Sequence, residues 1–298
     1  MVNLAYRHLV EQFEVVLYQE PRAWEGLEPE GVHQMRVATR RIRAALQSFK
    51  RVIPSAARKH FRSEFKWVAA ALGDVRDLDV YLGNFSQYTT ELPMEEAPFL
   101  TEYREHLVDQ WRQARKRLLD CLGSRRYQQL VVGFIEFLED GPPASATGDC
   151  LPTIGKSARK TIGKQLTQVL RNGRAIEPDS PDDMLHALRI DCKRLRYLFE
   201  FFEPVFGKSL HKFIKRLKSL QDVLGEFQDA RVATQQLRAY ANIVPMRTEN
   251  RGQLLALGQL VHSQRCQAAA QRKNFFDIWA RFEAKVTRKK VAVSLAAS

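Results

Sequence analysis

Val32-His33-Gln34-Met35-Arg36-Val37-Ala38-Thr39-Arg40-Arg41-Ile42-Arg43 is answered 153 positions later by Leu185-His186-Ala187-Leu188-Arg189-Ile190-Asp191-Cys192-Lys193-Arg194-Leu195-Arg196. Both stretches read as helices, because their apolar residues recur at three- and four-residue steps. His33, Arg36, Arg40 and Arg43 then fall within about 80° of one helix circumference. Met35, Ala38, Ile42, Ala45, Leu46 and Phe49 form a separate stripe that can face a core. In the second copy His186, Arg189, Lys193 and Arg196 form the row, and Leu188, Leu195, Leu198, Phe199 and Phe202 form the apolar side. Arg41 and Arg194 fall outside both stripes. Like charges at these spacings repel by a few tenths of a kcal/mol per pair, and no carboxylate interleaves to relieve them. A solvated face explains one such row less well than an anion site explains two in register.

A second pair of matches follows at an offset of 152: Leu72-Gly73-Asp74-Val75-Arg76-Asp77 against Leu224-Gly225-Glu226-Phe227-Gln228-Asp229. Two matched elements in the same order indicate a duplication. Gly73 and Gly225 are expected to permit close helix approach. Asp74, Asp77 and Asp79 are expected to cap helices or orient arginines rather than collect a divalent ion.

Helical periodicity extends through the rest of the chain. It predicts five helices per half: 4–20, 31–52, 55–89, 95–122 and 124–140, then 154–172, 181–203, 205–241, 248–273 and 275–290. The expected organisation is one domain over 1–290, with a first repeat at 1–140, a Gly/Pro/Ser/Ala-rich linker at 141–152 and a second repeat at 153–290. A flexible tail is expected at 291–298. Ser180 is expected to cap the second basic helix, with Pro181 at its first position and Asp182 and Asp183 complementing its dipole.

The 298 residues carry a formal charge of +13 and a pI near 9.7, which points to polyanionic partners. Residues 1–150 hold 20 Lys/Arg against 21 Asp/Glu, and the remainder hold 27 against 13. The first basic helix therefore sits in a nearly neutral half. Four separated cysteines, with no C-x-x-C pair, fit a reducing compartment. No signal peptide and no membrane span are expected, which makes the cytoplasm the expected location.

Further cations follow the same pattern. Lys59, Arg62 and Lys66 share a face, as do His211, Lys215 and Lys218. Lys66 pairs with Lys218 at the 152 offset, and Arg7 with Lys160 and Arg112 with Arg265 at 153. Lys66 and Lys218 are added to the site, and Arg7, Lys59, Arg62, Arg112, Lys160, His211, Lys215 and Arg265 are secondary anion contacts. Arginine grips phosphate with a planar fork, lysine as a point charge, and histidine donates a hydrogen bond and gains charge when protonated. Such rows suit a linear chain of phosphates. Few aromatics interleave with them, so nothing is set to stack on bases.

There is no Gly-rich phosphate loop, no zinc spacing and no nucleophile beside a base. No cofactor, metal or catalytic residue is expected.

The doubled His-x-x-Arg-x-x-x-Arg/Lys-Arg-x-Arg pattern, followed each time by Leu-Gly-x-x-x-Asp, closely resembles the CHAD (conserved histidine α-helical domain) family over about residues 1–290. The resemblance implies an all-α fold of two pseudo-symmetric four-helix bundles around a central basic groove. It also implies non-catalytic binding of inorganic polyphosphate and targeting to polyphosphate granules. The family positions are His33, Arg36, Arg40, Arg43, His186, Arg189, Lys193 and Arg196. Lys193 departs from the arginine of the first copy, keeping charge but losing the fork. The E-x-E-x-K signature of the triphosphate-tunnel domain often fused to this family is absent. Nucleic acid is the expected weaker competitor, and a metal-dependent phosphoanhydride hydrolase is the remaining alternative.

Overall fold

Helix α1 (Val2–Glu25) opens a chain that, among its described residues, is built from helices and short connections alone. The computed structural model describes residues 2–50, 52–90, 92–142, 154–206 and 211–288. After α1 come α2 (Pro29–Ser48), α3 (Ser55–Gly83), α4 (Phe85–Thr90), α5 (Thr101–Leu122) and α6 (Arg125–Glu139). They are followed by α7 (Ile154–Arg174), α8 (Asp182–Phe201), α9 (Glu203–Phe206), α10 (His211–Ala241) and α11 (Arg251–Arg288). The linker beyond Pro142 and the tail at 291–298 lie outside the described residues.

The chain divides into two compact units, Met1–Ser86 with Glu102–Thr153, and Gln87–Thr101 with Ile154–Ser298. Residues 87–101 thus group with the second unit, although sequence order assigns them to the first repeat. Two contacts account for this. The Phe99 ring lies so close over α11 that a Cβ on Gly252 would meet it at 2.6 Å, and Gln259 donates a hydrogen bond to Glu96 at 2.9 Å.

In the first unit α2 packs against both α1 and α3, with α6 closing on α1 and α3. The stripe Val32, Met35, Ala38, Ile42, Ala45 and Leu46 is buried, as the periodicity requires. Phe13, Phe61 and Phe65 surround Phe134, whose centroid lies 4.8–4.9 Å from each. Edge-on aromatic packing of this kind adds to the burial of each ring. Where α1 turns into α2, a Cβ at Gly31 would stand 2.8 Å from the Arg22 backbone, so only glycine allows that approach.

In the second unit α7 packs on α8, α8 on α10, and α10 along α11. Trp279 of α11 lies over Gly173, where a Cβ would come within 2.0 Å of the indole. The expected break between 273 and 275 does not occur, and α11 runs on through Asn274. No glycine or proline follows Gly258 within this helix, and the buried Phe275, Trp279 and Phe282 carry the core stripe onward. The first half does break, at Gly123-Ser124, where the Ser124 hydroxyl accepts from the Tyr127 amide at 3.1 Å and caps α6.

The start of α8 differs from expectation in its cap. Pro181 occupies the cap position, and the Ser180 hydroxyl instead accepts from the Glu177 amide at 2.9 Å. Asp182 holds Arg231 of α10 at 2.8 Å and Arg272 of α11 at 2.7 Å. Those two ion pairs fix the end of α8 from which His186 projects.

Candidate anion site

Each motif helix presents its row at partial burial. His33, Arg36, Arg40 and Arg43 on α2, and His186, Arg189, Lys193 and Arg196 on α8, are all half-buried. Packing of the opposite stripe fixes their azimuth.

In the first unit α3 lies alongside. Arg36 reaches Asp77 at 3.4 Å, a long and weak contact to a carboxylate that is 66% exposed. Arg43 lies in the field of Arg62 and Arg40, and partial burial followed by these two cations holds its guanidinium below the usual arginine range. The Nε atoms of Arg43 and Arg62 are buried without a hydrogen-bond partner. Among the described residues neither guanidinium has a carboxylate within ion-pair distance.

The pKa of His33 is also lowered. Burial lowers its pKa most, the charge of Arg76 next, with Arg36 and Arg40 adding and Glu30 opposing. Its Nδ1 is buried with no partner. Arg76, on α3, is a site residue that matched-motif reasoning misses. Its signal was present, since Lys59, Arg62, Lys66, Gly73 and Arg76 follow helical spacing along one face of α3.

In the second unit the position of Arg76 is taken by Gln228, and His186 Nδ1 lies 3.0 Å from Gln228 Oε1. Arg196 faces Glu200 at 3.5 Å on its own helix. Arg194, outside the row, pairs with the buried Asp191 at 3.3 Å, which also accepts from Asn172 at 2.8 Å. It is structural.

The remaining candidates separate by exposure. Arg62 is half-buried, whereas Lys66, Lys218, Arg7, Lys59, Arg112, Lys160, His211, Lys215 and Arg265 are exposed. Arg7 pairs with Glu11 at 3.7 Å, Arg112 with Asp109 at 2.8 Å and His211 with Glu203. Among the described residues Lys66 and Lys218 have no carboxylate within ion-pair distance.

Gly73 and Gly225 do not serve close helix approach. A Cβ at Gly73 would make only ordinary contact with the Arg36 side chain at 3.6 Å, and one at Gly225 would meet nothing within 4 Å. The three carboxylates near Gly73 are tied separately: Asp74 to Arg117 at 3.7 Å, Asp77 to Arg36, and Asp79 to the Trp111 indole at 2.7 Å. Among the described residues no group of three or more His, Cys, Asp or Glu side chains is placed to hold a metal ion. Nor is any described helix long and apolar enough to cross a membrane.

A family model described as the CHAD domain matches residues 7–238. Two curated proteins of Mycobacterium tuberculosis, from strains CDC 1551 / Oshkosh and H37Rv, are both named as uncharacterized and are 28% identical over 238 residues. The match covers 78% of this chain and 44% of each relative, so the chain spans less than half the length of the curated relatives it matches. Among solved structures, the CHAD domain from the plant Ricinus communis superposes with a TM-score of 0.75 at 24% identity, covering 94% of this chain and 91% of that one. PptA from Streptomyces chartreusis superposes with a TM-score of 0.73 at 19% identity, covering 94% and 99%. These likenesses establish the all-helical fold.

Proposed function

The chain belongs to the CHAD domain family, and on that premise we propose that it binds inorganic polyphosphate along the rows of α2 and α8 without chemistry of its own. The observation that carries this reading is the pair Arg43 and Arg62, crowded together, half-buried and, among the described residues, without a carboxylate in ion-pair distance. Guanidiniums held this way raise the free energy of the empty protein, and a polyanion threaded between them relieves that repulsion while satisfying their donors. Polyphosphate offers the matching geometry: a flexible string of oxygens with no side group, against rows with few interleaved aromatics.

The rows assign the contacts. Arginine forks at Arg36, Arg40, Arg43, Arg189 and Arg196 take phosphate oxygens two at a time, and Lys193, Lys66 and Lys218 add point charges. His33 and His186 donate single hydrogen bonds. In the cell this activity places the protein in the cytoplasm at polyphosphate granules.

The test is competition at matched phosphate concentration and salt. Long-chain polyphosphate should displace duplex DNA far more readily than the reverse; equal or stronger DNA binding would favour a nucleic-acid partner instead. Changing Arg36, Arg40, Arg189 and Arg196 together to Ala should abolish tight binding while circular dichroism keeps its helical signal. Phosphate release above background with Mg²⁺ or Mn²⁺ would overturn the non-catalytic reading.

A further inference from the structure

Helix α7 carries Lys156, Arg159, Lys160, Lys164, Arg171 and Arg174 and not one Asp or Glu in its 21 residues. Lys156, Lys160, Lys164 and Arg171 fall within about 80° of its circumference and run for about 22 Å along it. All four are exposed. Gly163 and Thr167, the residues between them on this face, are small. The buried residues Ala158, Ile162, Leu166 and Val169 occupy the opposite side. Gln165 and Asn172, which reach Asp191 of α8 at 3.3 and 2.8 Å, lie about 130° around the helix from the strip. The strip therefore faces away from α8 and from its histidine row.

The first repeat supplies an internal control. At the 153 offset the buried positions of α1 and α7 agree, with Ala5 matching Ala158, Leu9 matching Ile162, Phe13 matching Leu166 and Val16 matching Val169. The outward positions do not agree. Where α7 has Lys156, Lys160, Lys164 and Arg171, α1 has Asn3, Arg7, Glu11 and Tyr18, and Arg7 pairs with Glu11 at 3.7 Å. The same scaffold thus carries a self-compensated face in one copy and an uncompensated cationic face in the other. Arg174 pairs with Glu283 at 2.6 Å and is excluded from the strip. Arg171 meets only the amide oxygen of Gln168 at 2.7 Å, which leaves its charge in place. Among the described residues no carboxylate lies within ion-pair distance of Lys156, Lys160, Lys164 or Arg171.

We propose that this outward strip of α7 is a second contact track for long-chain polyphosphate, taken up by the part of the polymer that extends beyond the α8 row. The proposal rests on the polyphosphate reading above. The strip's own chemistry favours a linear polymer without side groups. It holds no aromatic ring on which a single-stranded base could stack. Its apolar residues Ala158, Ile162, Leu166 and Val169 are buried on the other side, so the strip offers no broad apolar face to a lipid surface. One row of charges, three about 6 Å apart and the fourth about 10 Å beyond, meets a single chain of phosphates. Flexible, exposed lysines give this track lower affinity per contact than the half-buried arginines, so it lengthens the footprint instead of anchoring it.

The experiment compares wild type with K156Q/K164Q/R171Q, using a polyphosphate chain just long enough to cover one helix and a chain many times longer. Glutamine keeps helix propensity, and thermal unfolding verifies the fold. Wild type should bind the long chain more tightly than simple site counting predicts. The variant should leave the short chain unchanged and weaken the long one by roughly tenfold. Its slope of log affinity against log salt should fall by about two, for the long chain only. A variant that keeps the full long-chain advantage, or that loses short-chain binding equally, overturns the second track. A variant that loses duplex DNA binding while keeping long polyphosphate assigns the strip to nucleic acid and overturns it as well. Wild type that binds neither chain refutes the polyphosphate function itself, a result distinct from either of these.

Discussion

His33 and His186 occupy matched positions on matched helices, yet one faces the charge of Arg76 and the other touches the amide of Gln228. The row on α2 is surrounded by arginines, with Arg62 and Arg76 contributed by α3. The row on α8 substitutes Lys193 for an arginine and sets Arg196 against Glu200. The two rows thus keep a constant sequence offset, while the neighbouring helix decides what each histidine meets. The first half concentrates uncompensated positive charge at a half-buried place, and the second spreads it over exposed lysines on α10 and α7. A polyanion should be gripped in the first half and trailed along the second.

The largest expected effect breaks that comparison at its strong end. R43A/R62A removes two half-buried forks, each contributing about 1.5–3 kcal/mol to a charged hydrogen bond, and should weaken polyphosphate binding by about 100-fold or more. K193A/K218A in the second half should cost roughly tenfold. Equal losses measured by titration calorimetry would show that the halves contribute alike.

A second contrast concerns acid stability. His8 on α1 is pushed down to about 4, by burial first and then by Arg41 and Arg7; Glu11 lies 3.8 Å from its Nδ1. The matched residue in the second half is Thr161, whose hydroxyl donates to the Ser157 carbonyl at 2.9 Å. Below the ordinary histidine range the unfolded chain takes up a proton that folded His8 refuses. Stability held at neutral pH is therefore lost as pH falls from about 6.5 toward 4. Between pH 7 and pH 5 the loss should be about 2 kcal/mol, and H8Q should remove it from denaturant midpoints read across that range. An unchanged pH profile in H8Q would show that His8 is not the acid-labile group.

The rows were legible because helical spacing both buries one stripe and aligns the other, and burial of Met35, Ile42, Leu188 and Leu195 follows that spacing. Capping was less legible. Ser180 fits a cap by pattern, but the turn before Pro181 claims its hydroxyl. Helix ends near Gly123 and Asn274 were read alike, although only the first has a residue that favours stopping. Arg76 was hidden because Asp74 and Asp77 make its segment look neutral, while position along α3 puts it beside His33. Matching cation to cation finds Lys160 through Arg7 and passes over Lys156, Lys164 and Arg171, whose counterparts are not basic. The Gly73 and Gly225 expectation failed for a similar reason: a glycine repeated in a motif suggests close packing, but a Cβ at Gly73 would make only ordinary contact with Arg36 and one at Gly225 would meet nothing within 4 Å.

The finest test exchanges the two histidine environments. R76Q gives the first half the residue of the second, and Q228R does the reverse. With Arg76 gone, the largest charge acting on His33 disappears, and its pKa should rise toward the ordinary histidine value against the remaining burial. A neutral His33 that gains a proton becomes a stronger donor to phosphate, so wild-type affinity should increase as pH falls through its titration. In R76Q that increase should begin at a higher pH. At neutral pH R76Q should lose about fivefold in affinity, the contribution of one cation near a screened anion, and Q228R should gain a similar factor. Ring resonances of His33 followed by NMR separate the proton effect from the lost contact. Should R76Q leave the His33 titration where it was, Arg76 would be an ordinary surface cation, and the asymmetry between the halves would have to rest on Arg43 and Arg62 alone.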